Sequence, residues 1–394
     1  MTQKELATEI GRTASWVSQV ERGVLPVNRL DVLGLVADAL GVPVQDLHPD
    51  GPDSTEAVKA VVAAAEPNDL VQARLLISGH PALDVVLALR VQHAVPDLVQ
   101  LSSAVEDIWA LAHGDRFAEL STVLGRNLPR LERATRTAMP EDRPDAYALL
   151  ARAYQALAAA FVRQNEADAA WVAADRSISA AEQSGRALDV FAGIFRLAHA
   201  FVRLKRYDQA EHAAQSAVNA LSRHVEEAEQ SASEALSLLG SLHLVLALVY
   251  ARSENRPAAR QETEHARRVA GQLGEDRNDF NLEFGPTNVE IQAVSVAVDL
   301  GDAGEALEVG EALDASALSI ERQARLAMDL GRAHAQLRQV GDAVRHFLHA
   351  EELAPEMVQS HIAARAAIYD LMLVVGRSAP PELAELARRA DAMS

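Results

Sequence analysis

The 394-residue sequence contains no cysteine. That single absence excludes disulfides, thiolate metal sites and cysteine nucleophiles together, and it fits a reducing compartment. Lysine is nearly missing as well: Lys4, Lys59 and Lys205 are the only three, and the other basic residues are arginine. No apolar run reads as long enough to span a membrane, and the first residues lack the charged-then-apolar pattern of a secretory leader. A soluble, cytoplasmic protein is therefore expected. The motifs of common chemistry are also missing, with no GxxxxGK[ST] phosphate loop, no GxGxxG after a strand, no HExxH and no Gly-x-Ser-x-Gly elbow. His346 and His349 share a helical face at i, i+3, but no carboxylate pattern completes a metal site around them, and they read as a surface pair. We expect no enzyme, no cofactor and no metal.

What is present is apolar and acidic. An apolar content of 49% is ample for a core, and the length permits two or three domains. The net charge of −19 argues against a general nucleic-acid coat, yet it leaves room for a small reader domain on an acidic body. Strand patterns are nearly absent, so the expected fold class is all-α.

The first 50 residues have the most definite pattern. Thr2 with Glu5 three residues on has the form of a capping box, after which Leu6, Ala7 and Ile10 fall on one helical face. Gly11 can end that helix, and Ser15 to Arg22 resumes the helical period with Val17 and Val20 inward, before Gly23 closes it. Two short helices across a tight turn form a helix-turn-helix. A further helix runs from Arg29 to Leu40, with Asn28 as its cap and Gly41 as its end.

The pattern Gln3, Glu5-Leu6-Ala7, Ile10-Gly11, Val17-Ser18, Glu21-Arg22-Gly23, then Leu33, Ala37, Leu40-Gly41 and Leu47, resembles the phage-repressor (XRE) family of helix-turn-helix domains. The resemblance implies that Gln3 touches phosphate and that Ala14, Ser15 and Gln19, with Ser18 beside them, lie on the base-facing side of a recognition helix. Glutamine can pair with adenine, serine with either partner, and an alanine methyl with a thymine methyl. Arg12 and Arg22 would hold phosphates, which positions the domain without reading sequence. Trp16 is open between core or interface packing and backbone contact. The family has a further helix before Gln3, so either the natural chain begins upstream of Met1 or the module is expected to lack that helix, and residues 1–50 carry four basic against seven acidic side chains, a net −3. Since phosphate neutralisation supplies most affinity, the module as written is expected to bind DNA weakly.

His48-Pro49-Asp50-Gly51-Pro52-Asp53 punctuates the chain and marks the expected boundary of residues 1–50. Residues 51–100 read as connecting helices, Ser54 to Glu66, Leu70 to Ile77 and Leu83 to Val95. Residues 101–394 read as a superhelical array of antiparallel helix pairs. Leu330-Gly331, His334, Ala343, Phe347, Ala350 and Pro355 occupy the positions of the tetratricopeptide pattern, and weaker copies place alignment alanines at 170, 210, 259 and 306. A merely alanine-rich bundle is the alternative.

In that frame Arg163, Arg203 and Arg252 share one position near the end of the first helix of three successive pairs, with His199 one turn before Arg203. Such a ladder would suit an acidic peptide or a terminal carboxylate, although arginine near a helix C-terminus is stabilised by the macrodipole in any case. The one long irregular stretch is Gly274 to Asn288, whose Phe280, Leu282 and Phe284 call for burial. Its Phe284-Gly285-Pro286-Thr287-Asn288-Val289 run resembles one in actinobacterial proteins that join an XRE domain to tetratricopeptide-like repeats. Asn288 is then expected on the concave side of the next helix, free to bond a peptide backbone, while Thr287 and Glu290 form another capping box. The expected function is a sequence-specific, double-stranded-DNA-binding transcriptional regulator, acting as a homodimer and using the array to bind a peptide, small effector or protein partner. The alternative is a repeat-type protein adaptor with an inert helix-turn-helix.

Overall fold

The computed structural model describes residues 2, 3, 6, 7, 17, 37, 39, 40, 42, 70–83, 96–227 and 233–392. The chain divides into two compact units, residues 1–68 (with 394) and residues 69–393. In the first unit Leu6, Ala7 and Val17 are buried in one cluster with Ala39 packed against it, and Ala37 is buried as well. The Leu6 amide donates to the Thr2 carbonyl at 3.0 Å, which starts a helix where the sequence predicts one. The Val42 amide reaches back five residues to the Ala37 carbonyl at 3.1 Å, a helix-ending bond at the expected place.

The described part of the second unit is all-helical apart from one bridge between Arg277 and Phe284. In chain order the helices are α1 (Val71–Ile77), α2 (Leu98–His113), α3 (Phe117–Thr137), α4 (Arg143–Arg163), α5 (Ala167–Ser184), α6 (Ala187–Arg203), α7 (Tyr207–Glu227) and α8 (Ser233–Arg252). They continue as α9 (Arg256–Leu273), α10 (Pro286–Asp299), α11 (Ala303–Gly310), α12 (Ile320–Gln336), α13 (Val340–Leu353), α14 (Pro355–Ser360), α15 (Ile362–Val375) and α16 (Pro381–Arg389). From α2 onward each helix packs on its successor, α1 packs on α3 and α5, and α2, α4, α6, α8, α10, α12 and α15 also pack on one another in that order. These seven form an inner layer, and the helices between them form an outer one.

One turn geometry recurs between the layers. Asp115, Asn165, Lys205, Glu254 and Arg338 all have left-handed backbones with φ of 56–61°, and Gly301 holds the same place at φ 81°. The amide after each of these six residues donates to a carbonyl five residues back, at 2.8–3.1 Å, which satisfies a helix end. Five residues beyond the last five of these turns stand Ala170, Ala210, Ala259, Ala306 and Ala343, none more than 1% exposed. Those are the alanines that define the repeat in the sequence. The small side chain lets the outer helix approach the inner one closely. At Gly331 the same need removes the side chain altogether, because a Cβ there would lie 3.0 Å from the Phe347 ring.

Two local expectations are corrected. Helix α8 is long and apolar enough to cross a membrane, contrary to the reading that no run approaches that length, but 83% of its apolar window is buried inside the array. It packs against α6, α7, α9 and α10, so both its faces are core. The capping box at Thr287 and Glu290 does not form. Instead the Asp276 carboxylate accepts from the Thr287 amide at 3.0 Å, while Glu290 pairs with Arg267 at 2.7 Å.

The stretch between α9 and α10 is ordered by its own apolar residues, as predicted: Phe284 and Leu282 are fully buried, and Phe280 packs partly buried beside them. Phe284 lies against Gly240 on α8, where any Cβ would come within 1.9 Å of the ring. Gly285 is required by close approach, since a Cβ would meet the Asp276 Cα at 2.4 Å. The array also curls back on itself: the Ser360 hydroxyl donates to the Arg163 carbonyl at 3.0 Å, joining α14 to the end of α4.

Candidate functional site

The shared turn fixes which residue ends each inner helix. These are His113, Arg163, Arg203, Arg252, Asp299 and Gln336 on α2, α4, α6, α8, α10 and α12, each two positions before the left-handed residue. A cation is favourable at a helix C-terminus, and curvature of the array gathers several of these ends into one cavity. Its volume is about 90 Å³. Arg163, His199, Arg203 and Arg252, singled out from the sequence, all line it. Asn288 does not: it is buried in the first turn of α10, and its Oδ1 has no hydrogen-bond partner.

The structure adds residues that the ladder did not predict. Arg196, Arg322 and Arg325 enter the same cavity, with Glu283 and Glu321, Trp109 and Phe195. Six arginines thus face two glutamates. Arg196 lies on the same face of α6 as His199 and Arg203, seven residues before the latter, so a helical projection of α6 would have found it. Arg322 and Arg325 had no such signal. They belong to the first turns of α12, and only closure of the array sets them opposite α4 and α6.

Most of these guanidiniums are held by carbonyls or carboxylates. Arg163 donates to the Ala112 carbonyl at 2.6 Å, and Arg196 donates to the Asn281 carbonyl at 2.8 Å while standing 5.2 Å from the Trp109 ring and 5.0 Å from that of Phe195. Arg322 donates to the Leu282 carbonyl at 3.2 Å and lies 3.5 Å from Glu283. Glu321 is shared by Arg322 at 3.4 Å and Arg325 at 3.5 Å, and Arg252 bonds Asp299 at 3.2 Å. Arg203 forms no hydrogen bond or ion pair among the described residues.

Burial sets the protonation of the site. It pushes the Arg196 and Arg203 guanidiniums down, and neighbouring arginines push the same way. Arginine nevertheless keeps its proton in proteins, so both groups stay charged at a cost set first by burial. Burial also drives His199 and His361 well below the ordinary histidine value, aided by Arg196 and Arg325 respectively. Both imidazoles are neutral, and the positive field comes from arginine alone. Burial would raise Glu321, but Arg322, Arg325 and Arg163 outweigh it and hold the carboxyl at about 2. The irregular stretch forms one wall: the Glu283 carboxylate accepts from the Ser319 amide at 2.9 Å and hydroxyl at 2.7 Å, and the Ser237 hydroxyl donates to Asp279 at 2.7 Å.

Two other groups have metal-binding donor types. His243, Glu262 and His265 lie between α8 and α9, and Glu311, His334 and His346 beside α12 and α13, with the ligand atoms of each trio within 4.8 Å of one another. A 2.6 Å contact between His243 Nδ1 and Glu262 accounts for the first without an ion. In the second His346 faces the His334 ring at 5.2 Å, whereas exposed His349 stands beside Glu352 at 3.7 Å, so the i, i+3 histidines do not act as a pair.

Of the expected DNA contacts, Gln3 is helical and exposed. Arg12, Ala14, Ser15, Ser18, Gln19 and Arg22 lie outside the described residues. No family model matches the chain, and no curated protein matches it.

Proposed function

We propose that the protein is a sequence-specific transcriptional regulator acting in the cytoplasm as a homodimer, in which an XRE-type helix-turn-helix contacts operator DNA and a tetratricopeptide-like array binds an effector. The observation that carries this reading is the convergence of six arginines from α4, α6, α8 and α12 on one cavity inside a repeat array. Concave faces of stacked helix pairs are ligand surfaces, and here the polar groups converge on a pocket as they do at a binding site. The reader unit is supported by its residue spacing and by the joint burial of Leu6, Ala7 and Val17.

Coupling follows from where the cavity sits. Arg163 is tied through its side chain to Ala112 on α2 and through its carbonyl to Ser360 on α14. A ligand that draws the arginines together therefore acts on both ends of the curled array. In a dimer this would change the spacing of two reader units, and half-sites must lie a whole number of helical turns apart to be bound together. Tight binding to a selected promoter fragment, measured by fluorescence anisotropy, is required; binding no better than to scrambled DNA removes this function. The net charge of −3 over residues 1–50 favours a second reading, a protein adaptor with an inert reader unit. Capture of a partner that is indifferent to Arg12→Ala and Gln19→Ala together would select it.

A further inference from the structure

We infer that the effector is a small dianion, a dicarboxylate or a phosphate monoester and not a peptide, and that Arg203 is its anchor. The inference rests on the array being an effector domain and names what the cavity takes.

Charge is the first argument. Arg252, Arg322 and Arg325 each have a carboxylate partner, whereas Arg163, Arg196 and Arg203 form no ion pair among the described residues. Three guanidiniums thus line the cavity without an ion pair of their own, and the only two carboxylates that line it are already engaged by Arg322, Arg325 and Ser319. Arg196 is buried and Arg163 and Arg203 are half-buried, so a ligand that supplies negative charge lowers the cost of keeping them out of bulk water.

Hydrogen-bonding polarity is the second argument and is independent of charge. Among the lining residues, the buried polar atoms without a hydrogen bond are Trp109 Nε1 and the Nε atoms of Arg163, Arg196, Arg322 and Arg325, of which that of Arg322 faces Glu321 at 3.4 Å and Glu283 at 3.5 Å. Every one is a donor. A wall that offers unmet donors and no unmet acceptor selects a ligand made of acceptors, which is what a carboxylate or phosphate supplies. Arg203 adds its whole fork, since none of its nitrogens is used.

Size is the third. At the roughly 30 Å³ that a water takes in the liquid, a 90 Å³ cavity holds about three waters. That suits a compact dianion better than several residues of peptide.

The test uses the full chain. Melting temperature and calorimetric affinity are measured with inorganic phosphate, glycerol 3-phosphate, succinate, and a pentapeptide with a free or amidated C-terminus, at ionic strength held constant with sodium chloride. Saturable stabilisation by a small dianion is expected, and comparison of succinate with the phosphates identifies which chemistry is preferred. Loss of charge-assisted bonds should weaken binding roughly 10- to 150-fold in Arg203→Met. Arg203→Lys, which keeps the charge and loses the fork, should fall between, and exposed Arg126→Ala should not differ from the parent. Without ligand, Arg203→Met should melt at or above the parent temperature, because it removes an unpaired guanidinium; a purely structural arginine would behave in the opposite way. The inference is overturned if only the free-carboxylate peptide binds, if sodium chloride alone reproduces the stabilisation, or if Arg203→Met binds as the parent does. Anion binding that leaves DNA affinity unchanged would keep the inference and remove the regulatory reading, whereas selective DNA binding with no anion binding would do the reverse.

Discussion

Asp115→Asn should stabilise the protein at neutral pH and leave it unchanged in acid. Burial raises the Asp115 carboxyl from 3.8 to about 6, with Glu321 adding to the rise and Arg163 and the Met357 amide opposing it. The folded state therefore holds the proton more tightly than the unfolded chain, and the penalty for ionising Asp115 grows as pH rises from about 4 to about 6. The full difference corresponds to about 3 kcal/mol. Both carboxyl oxygens are buried without a hydrogen-bond partner, and the asparagine amide would be left unpaired in the same place, which reduces the gain to about 1–2 kcal/mol. Asparagine is nearly isosteric and tolerates the left-handed backbone at φ 56°. Asn165 already occupies the equivalent position of the next turn at φ 59°. Urea denaturation followed by circular dichroism at pH 4 and pH 7.5 reads the effect directly. A variant that is less stable than the parent at pH 7.5, or equally shifted at both pH values, would refute the reasoning.

Two further substitutions probe the cavity's walls. Gly240→Ala should destabilise the protein by about 1–3 kcal/mol in a urea titration, because the new Cβ must displace the buried Phe284 ring that anchors the wall. Glu321→Gln should cost about 3–5 kcal/mol at pH 7, since it leaves Arg322 and Arg325 without their shared carboxylate. Because the folded carboxyl lies at about 2, that contribution is complete above the unfolded value near 4.5 and is lost as pH falls toward 2. Thermal melts of parent and variant should therefore converge in strong acid.

The repeat was legible in the sequence because it is written in local steric needs. Alanines at 170, 210, 259, 306 and 343 each follow a left-handed turn by five residues, so their spacing carries the register directly. The first such turn, at Asp115, escaped because Leu120 fills the alanine position, a core residue with no small-residue signal. Arg163, Arg203 and Arg252 were legible for the same reason, standing at one fixed offset from the turn. Arg322, Arg325 and Glu321 were not, because their approach depends on the curvature summed over five helix pairs and on the closure at Ser360. Asn288 shows the converse limit. Its position in the sequence is a helix start, but that start is buried in the structure and does not line the cavity.

The most direct test of the account is DNA binding by the full chain with and without a small dianion. A fragment selected from a random-sequence pool is titrated by fluorescence anisotropy at constant ionic strength, alone and with saturating succinate or phosphate. The account predicts affinity at least about 1,000-fold above scrambled DNA. It also predicts a shift of about 5-fold or more on adding the anion, which Arg203→Met abolishes. Equal affinity for selected and scrambled DNA, or an anion effect that persists in Arg203→Met, would contradict it.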